Sequence, residues 1–427
     1  MMCGIMLTNK KYDGSMSHRG TRQRKLKDQN SGLTFIHEHL AIQAPQGYQS
    51  IIETDRYVIL FNGELFVDGY DNDLEYIKDI FSSRSLIGAV DAISHQDGFY
   101  SFIIYDNLHD NVICFTDPLG KKQLYYSDNG IASELRPLDK GPVNHLHLSK
   151  TIKFGYVTDD STPYTNIKRV MPNRIYRFDN DLQFEWSSEP YYQFKEVDTD
   201  QVDLYDLIGQ AVKNRLKGHE SVGLLLSGGL DSSIIAHHAK DQIANSYCVD
   251  NLDDLAYANY IDPKVKAIFI ENHDEALAAM EMPVDLGSLY PQYSLFSEVS
   301  ETVVLTGDGA DEAFGGYRRM LEYDSQLSDI FDELPFYHNI RIDRMSMIHT
   351  KECRSPFMSL PVIEYAMSLP YSDRVNKKHL RERYDHILPD RIVNRPKEPL
   401  KTDTIRSKNG VQYRKQLVDK WLEGIKS

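Results

Sequence analysis

Two domains in tandem are predicted. The first is an α+β domain of stacked sheets with helical cover (αββα) over residues 1–195. The second is an α/β domain built on a parallel sheet over residues 200–427, with a helical C-terminal part. Three observations predict this. The chain has 427 residues, more than one hydrophobic core usually spans. Its first half is a series of short apolar or alternating runs separated by Gly, Asn, Asp and Pro, the texture of a strand-rich fold. Its second half alternates short buried runs with helical periodicity, as open parallel sheets do.

In chain order, residues 34–36, 57–61, 100–105, 112–115 and 124–126 read as strands, and 74–81 and 87–93 as helices. Residues 187–203 lack periodicity and hold a polar Ser-Ser-Glu-Pro stretch, which reads as a linker. Val202, Leu207, Ile208, Ala211, Val212 and Leu216 then keep helical spacing. A buried strand at 222–226 leads into a helix from Ser232, and strands at 247–249, 265–270 and 302–305 alternate with helical stretches. From about residue 318 the pattern is mainly helical. No internal repeat or low-complexity tract interrupts it.

Hydrophobic residues at 41% and charged residues at 26% are ordinary for a globular protein. A net charge of −15 argues against nucleic acid as a partner. No run reaches the ~18 apolar residues of a membrane span. A basic stretch followed by an apolar one is missing at the N-terminal end, so the cytoplasm is the expected location. Of the four cysteines, none pairs as CxxC, which argues against zinc. Cys114 and Cys248 lie in apolar runs and read as core residues.

Ser227-Gly228-Gly229-Leu230-Asp231-Ser232-Ser233 follows a buried strand and opens a helix. Its glycines allow close backbone approach to an anion, and a helix N-terminus offers free N–H groups. Hydroxyls add donors, and Asp231 is suited to hold Mg²⁺ against phosphate oxygens. No Gly-Lys-Ser/Thr follows, so the loop is not of the Walker type. Cys3 is singled out by its place. Once everything before it is removed, one residue holds both a thiol nucleophile and an α-amine base with a pKa of about 8. Translation from Met2 is the expectation that allows this. Read without other segments, Cys3 is a buried strand residue and Asn62-Gly63 a hairpin turn.

Four segments follow Cys3 in order: Ser17-His18-Arg19-Gly20, Phe61-Asn62-Gly63-Glu64, Asp117-Pro118-Leu119-Gly120 and Ala132-Ser133-Glu134-Leu135. Each resembles a segment of the N-terminal nucleophile glutaminase domain of the asparagine synthetases. The 227–233 loop resembles the pyrophosphate loop of the ATP pyrophosphatases. Thr306-Gly307-Asp308-Gly309-Ala310-Asp311-Glu312, with Phe314-Gly315-Gly316-Tyr317 after it, is similar to the SGEGADELFGGY of the synthetase domain. Arg341 to Met347, Arg354 to Phe357 and Leu388 to Lys397 resemble its remaining motifs.

The resemblance implies a fold and a function. Glutamine is hydrolysed at the first domain, ATP adenylates a carboxylic acid at the second, and ammonia converts the adenylate to an amide with release of AMP and pyrophosphate. Aspartate is the expected acid, giving asparagine. A sugar, peptide or nucleotide carboxylate is the alternative, and a non-catalytic binding protein on the same scaffold is the other. By resemblance, Cys3 is the nucleophile, and the Asn62 side chain and Gly63 N–H form the oxyanion hole. His39, Leu40, Ile42, Asn62, Gly63, Glu64 and Asp73 surround glutamine, with Glu64 and Asp73 on its α-amino group. Leu225, Ser227, Gly228, Gly229, Asp231, Ser232, Val249, Thr306 and Gly307 take ATP, and Asp231 and Asp311 hold Mg²⁺. Asp308 and Lys397 complete the catalytic set, Lys397 by stabilising charge on the phosphates. The partners implied are small molecules, with a homodimer as in other members, and neither nucleic acid nor membrane. Three departures stand out. His39 replaces the family's arginine for the glutamine α-carboxylate, Asp308 replaces a common glutamate, and Gly287-Ser288-Leu289-Tyr290 lacks the bacterial arginine near aspartate.

Overall fold

A computed structural model describes residues 3–29, 31–40, 42, 51–218, 221–272, 274–321, 329–396 and 410–425. The chain divides into two compact units. One is Met1–Gln193 with Glu281–Pro283 and Arg414–Ser427, and the other is Phe194–Met280 with Val284–Tyr413. Residues 414–427, read above with the second domain, thus group with the N-terminal unit, where Arg414 Nε donates to the Ile152 carbonyl at 2.7 Å.

Twelve strands build the first unit: β1 (Cys3–Thr8), β2 (Arg22–Lys27), β3 (Thr34–His39), β4 (Ile51–Glu53), β5 (Tyr57–Leu65), β6 (Gly98–Asp106), β7 (Asn111–Thr116), β8 (Tyr125–Ser127), β9 (Gly130–Ala132), β10 (Lys168–Arg169), β11 (Ile175–Asp179) and β12 (Phe184–Ser187). They form two six-stranded sheets, ordered β10-β8-β9-β1-β3-β2 and β12-β11-β7-β6-β5-β4. All their pairings are antiparallel. The sheets stack with β1 against β5, and Cys3, Ile5, Leu7 and Phe35 share one core with Ile59, Phe61, Phe102 and Phe115. Helices α1 (Asp73–Ser83) and α2 (Leu86–Ser94) add Leu74, Ile77, Ile80, Phe81, Val90 and Ile93 to that core. Cover on both faces explains why β5 and β6 are buried at every residue. Strand β2 instead carries Arg22, Arg24, Lys25 and Lys27, charges that discourage pairing at an open edge.

The second unit is built on a five-stranded parallel sheet of β13 (Val222–Leu225), β14 (Ile243–Val249), β15 (Lys266–Ile268), β16 (Val303–Leu305) and β17 (Glu352–Arg354), ordered β15-β14-β13-β16-β17. The chain runs outward from β13 through β14 to β15, then returns to lay β16 on the other side of β13. That reversal opens a crevice at the carboxyl ends of β13 and β16, where open α/β sheets bind ligands. Strand β17 falls in the stretch read as helical. It has three residues, two of them charged, so no apolar run marks it. Its charges are buried because Arg354 pairs with Glu352 and donates through Nη1 to the Arg215 carbonyl at 2.7 Å. No helix among the described residues is long and apolar enough to cross a membrane.

Candidate active sites

At one end of the first unit's sandwich, the Cys3 backbone N–H donates to Asn62 Oδ1 across the two sheets at 2.9 Å. Both side chains are buried. With Oδ1 held there, the amide's Nδ2 donates to Ser101 Oγ at 3.5 Å and keeps a second hydrogen to donate. Arg19 anchors the same strand from behind. Its Nε donates to the Cys3 carbonyl at 3.0 Å and its Nη1 to Glu134 Oε1 at 2.9 Å, an acid that also receives His18 Nε2 at 3.0 Å. Two of the four ordered segments therefore meet directly beneath the cysteine.

Asn62 and Gly63 lie inside β5, paired with Ser101 and Tyr100, so the hairpin-turn reading is corrected. Tertiary pairing with β6 overrides the local turn chemistry of Asn-Gly. Gly63 has φ 144°, and a Cβ there would stand 2.0 Å from the Phe99 carbonyl oxygen. Gly63→Ala should therefore lower stability by at least ~3 kcal/mol and remove glutamine hydrolysis. Thermal unfolding at the wild-type midpoint would refute that.

Asp73 opens α1 behind the cap of Asn72, whose side chain accepts from Glu75 N–H. Its Oδ2 accepts from the Leu65 N–H at 3.4 Å, which sets it beside Glu64, also buried, at the end of β5. His39 stands opposite Cys3 in the β1–β3 register. Burial pushes its pKa down to about 4, so the imidazole is neutral at neutral pH. Leu40 is buried and Ile42 half-buried. The third segment has a role that sequence reading missed. The Asp117 carboxylate accepts from the backbone N–H groups of Tyr100, Leu119, Lys121 and Lys122 at 3.0–3.2 Å and so ties the loop after β7 to β6.

In the second unit, the 227–233 loop follows β13 and opens helix α3 (Leu230–Ala239) at the sheet's crevice. Ser227 Oγ lies 3.3 Å from both Ser232 Oγ and the Gly229 nitrogen, which curls the loop around its own N–H groups. The loop after β16 touches it, for a Cβ on Gly307 would lie 3.0 Å from Asp231 Cβ. Thr306, at the end of β16, is fixed by Ser355 Oγ at 3.0 Å. Leu225 and Val249 end the neighbouring strands β13 and β14. The predicted nucleotide residues thus gather along the ends of three adjacent strands. Asp308 is half-buried on the loop after β16. Lys397 lies outside the described residues; Arg395 before it donates to the Ser227 carbonyl at 2.6 Å.

Asp231 and Asp311 converge on one cation, Lys377, whose Nζ lies 2.5 Å from Asp231 Oδ2 and 2.6 Å from Asp311 Oδ1. The lysine is 3% exposed. Sequence reading missed it, since it lies 146 positions from Asp231 in an ordinary basic stretch. Asn376 and Lys377 both have positive φ, 59° and 56°, a costly pair for residues with a Cβ. Hydrogen bonds from their N–H groups to the Gly315 and Phe314 carbonyls, at 2.7 and 2.9 Å, hold that turn. Gly316 is required beside it, because a Cβ would meet Asp311 Oδ1 at 2.0 Å and Lys377 Cε at 2.3 Å. The donor set suits Mg²⁺. Two hard carboxylates share one point, and Asp231 Oδ1 is buried without a hydrogen-bond partner.

Nearby, Arg341 is buried with its Nε donating to Gln292 Oε1 at 3.0 Å, its Nη2 3.1 Å from His338 Nδ1 and its guanidinium over the Tyr337 ring. No carboxylate pairs with it among the described residues. His338 Nε2 reaches Glu312 at 3.2 Å, next to Asp311 in sequence, so this cation lies two contacts from the stretch that holds Asp311.

Comparison with known proteins agrees with both halves. The family model described as asparagine synthase matches residues 203–341 and 322–425, and the glutamine amidotransferase domain model matches 2–192. A probable glutamine-hydrolysing asparagine synthetase of Acanthamoeba polyphaga mimivirus is 27% identical over 80% of this chain and 69% of its own length. A putative one from Methanocaldococcus jannaschii is 28% identical over 81% and 71%. The chain is also similar to asparagine synthetase 1 of Saccharomyces cerevisiae, at 22% identity over 96% and 82%.

Proposed function

Because the chain belongs to the asparagine synthase family and carries a glutamine amidotransferase domain, we propose that it is a glutamine-hydrolysing ligase that amidates a carboxylic acid, aspartate in the first place. The observation that carries the reading is Cys3, seated with its nitrogen on Asn62 Oδ1 beside Gly63. With Cys3 as the N-terminal residue, its α-amine takes the thiol proton, and Sγ attacks the glutamine amide carbon. Asn62 Nδ2 and the Gly63 N–H stabilise the oxyanion, a contribution of about 3 kcal/mol for one such donor. The proton passes to the departing ammonia, and water hydrolyses the thioester to glutamate. Glu64 and Asp73 provide the negative charge for the substrate's α-amino group.

At the second site, the 227–233 loop holds the β- and γ-phosphates while the acceptor's carboxylate attacks the α-phosphorus. Pyrophosphate leaves, and ammonia from the first site displaces AMP to give the amide. Mg²⁺ held by Asp231 and Asp311 would neutralise charge on the phosphates. Lys377, paired with both carboxylates, adds a fixed positive charge on the same side of the phosphates' site, and Lys397 belongs to this set by its motif. Arg341 supplies a cation for an acceptor carboxylate, supporting an acid as the second substrate. A homodimer in the cytoplasm belongs to the same reading.

The test is pyrophosphate release with ATP, Mg²⁺ and glutamine across a panel of carboxylic acids. Release with aspartate, with asparagine as product, is the expected result. Silence with aspartate and release with a sugar, peptide or nucleotide acid would move the acceptor and keep the chemistry. Silence with every acid would leave a binding protein on this scaffold.

A further inference from the structure

A free amino acid brings an α-carboxylate into its site, and His39, neutral through burial, offers that group no charge. The β-sheet register points to another cation. Cys3 of β1 pairs with His39 of β3, and His39 pairs in turn with Arg22 of β2. Directly opposed residues of antiparallel strands point to one face, so these three side chains form a single row. The parallel row of Leu7, Phe35 and Leu26 packs into the core between the sheets, so the row from Cys3 to Arg22 faces the same way. Two strand spacings separate Cys3 from Arg22, about 10 Å. An extended glutamine with its amide at Cys3 covers about half that distance, and an arginine side chain covers the rest.

We propose that Arg22 receives the α-carboxylate of glutamine, taking from the neighbouring strand the role that position 39 does not fill. Arg22 is exposed and has no carboxylate partner among the described residues. Its competitors are engaged. Arg24 pairs with Glu53 at 3.6 Å, and Arg19 is held by Glu134 and the Cys3 carbonyl. A guanidinium on a strand edge presents a bidentate fork to a carboxylate, which an imidazole lacks. Gly20 lets the chain turn into β2 against β3, since a Cβ there would lie 2.5 Å from the His39 nitrogen. The inference rests on the glutaminase reading of Cys3.

The experiment uses the full chain as wild type, Arg22→Ala and Arg22→Lys. Arg22→Ala should raise the KM for glutamine about 30-fold with kcat within a few-fold, and Arg22→Lys should recover part of it. Covalent labelling of Cys3 by 6-diazo-5-oxo-L-norleucine, which carries the same α-carboxylate, should slow by a similar factor in Arg22→Ala. An unchanged KM, or equal labelling rates in wild type and Arg22→Ala, overturns the proposal. A wild-type chain that neither hydrolyses glutamine nor takes the label at Cys3 overturns the glutaminase reading, and Arg22's role with it.

Discussion

Cys3→Ala is expected to end glutamine-dependent amide formation, by at least ~10⁴-fold, while free ammonia still serves as the nitrogen donor. The two outcomes separate because the thiol acts only on glutamine. The loops proposed to bind phosphate lie in the other compact unit, between Phe194 and Tyr413. Alanine also removes little packing, since Cys3 is one small side chain in a large shared core. The measurement is pyrophosphate release with glutamine and with ammonium as alternative donors. Retained glutamine-dependent turnover would place the nucleophile elsewhere. The same mechanism requires that the native protein have a mass corresponding to Cys3 at its N-terminus, because a peptide nitrogen cannot accept the thiol proton.

The second large effect is expected at Lys377. Lys377→Met should destabilise the second unit by about 3–5 kcal/mol, because two buried carboxylates then face each other without their shared cation. In a unit of this size that lowers its unfolding midpoint by roughly 10 °C. Arg381 is too occupied to compensate, since its Nε is bound to the Asn376 carbonyl at 2.9 Å and its Nη1 to that of Val393. Mg²⁺ should restore stability to the variant more than it stabilises the wild type, because it replaces the missing charge between Asp231 and Asp311. Calorimetry with and without Mg²⁺ checks both. A variant that melts with the wild type, or gains nothing from the ion, would remove Lys377 from this role.

The strands flanking both sites were legible because their signals are local. The runs at 57–61 and 100–105 are apolar but for Ser101, and the structure extends them to β5 and β6 by adding residues buried between neighbours. The loop at 227–233 was legible because its glycines, hydroxyls and acid are contiguous. Strand β17 was not, because its burial depends on the internal pairing of Glu352 and Arg354 and no apolar run announces it. Asn62-Gly63 was legible as a special pair but not as part of a strand, because its partners Ser101 and Tyr100 lie far along the chain.

What the sequence by itself determined is the order of the domains, the β-rich and α/β textures, and the contiguous motifs at which the chemistry is expected. Each depends on residues near one another in the chain, where propensity, periodicity and backbone geometry act. Only the tertiary structure decided which distant charges share a point. It brought Lys377 between Asp231 and Asp311, Arg19 between Cys3 and Glu134, and Arg22 into register with His39 and Cys3. Those placements follow from strand register and from the cost of burying a charge without its partner, and neither is written in any local run of residues.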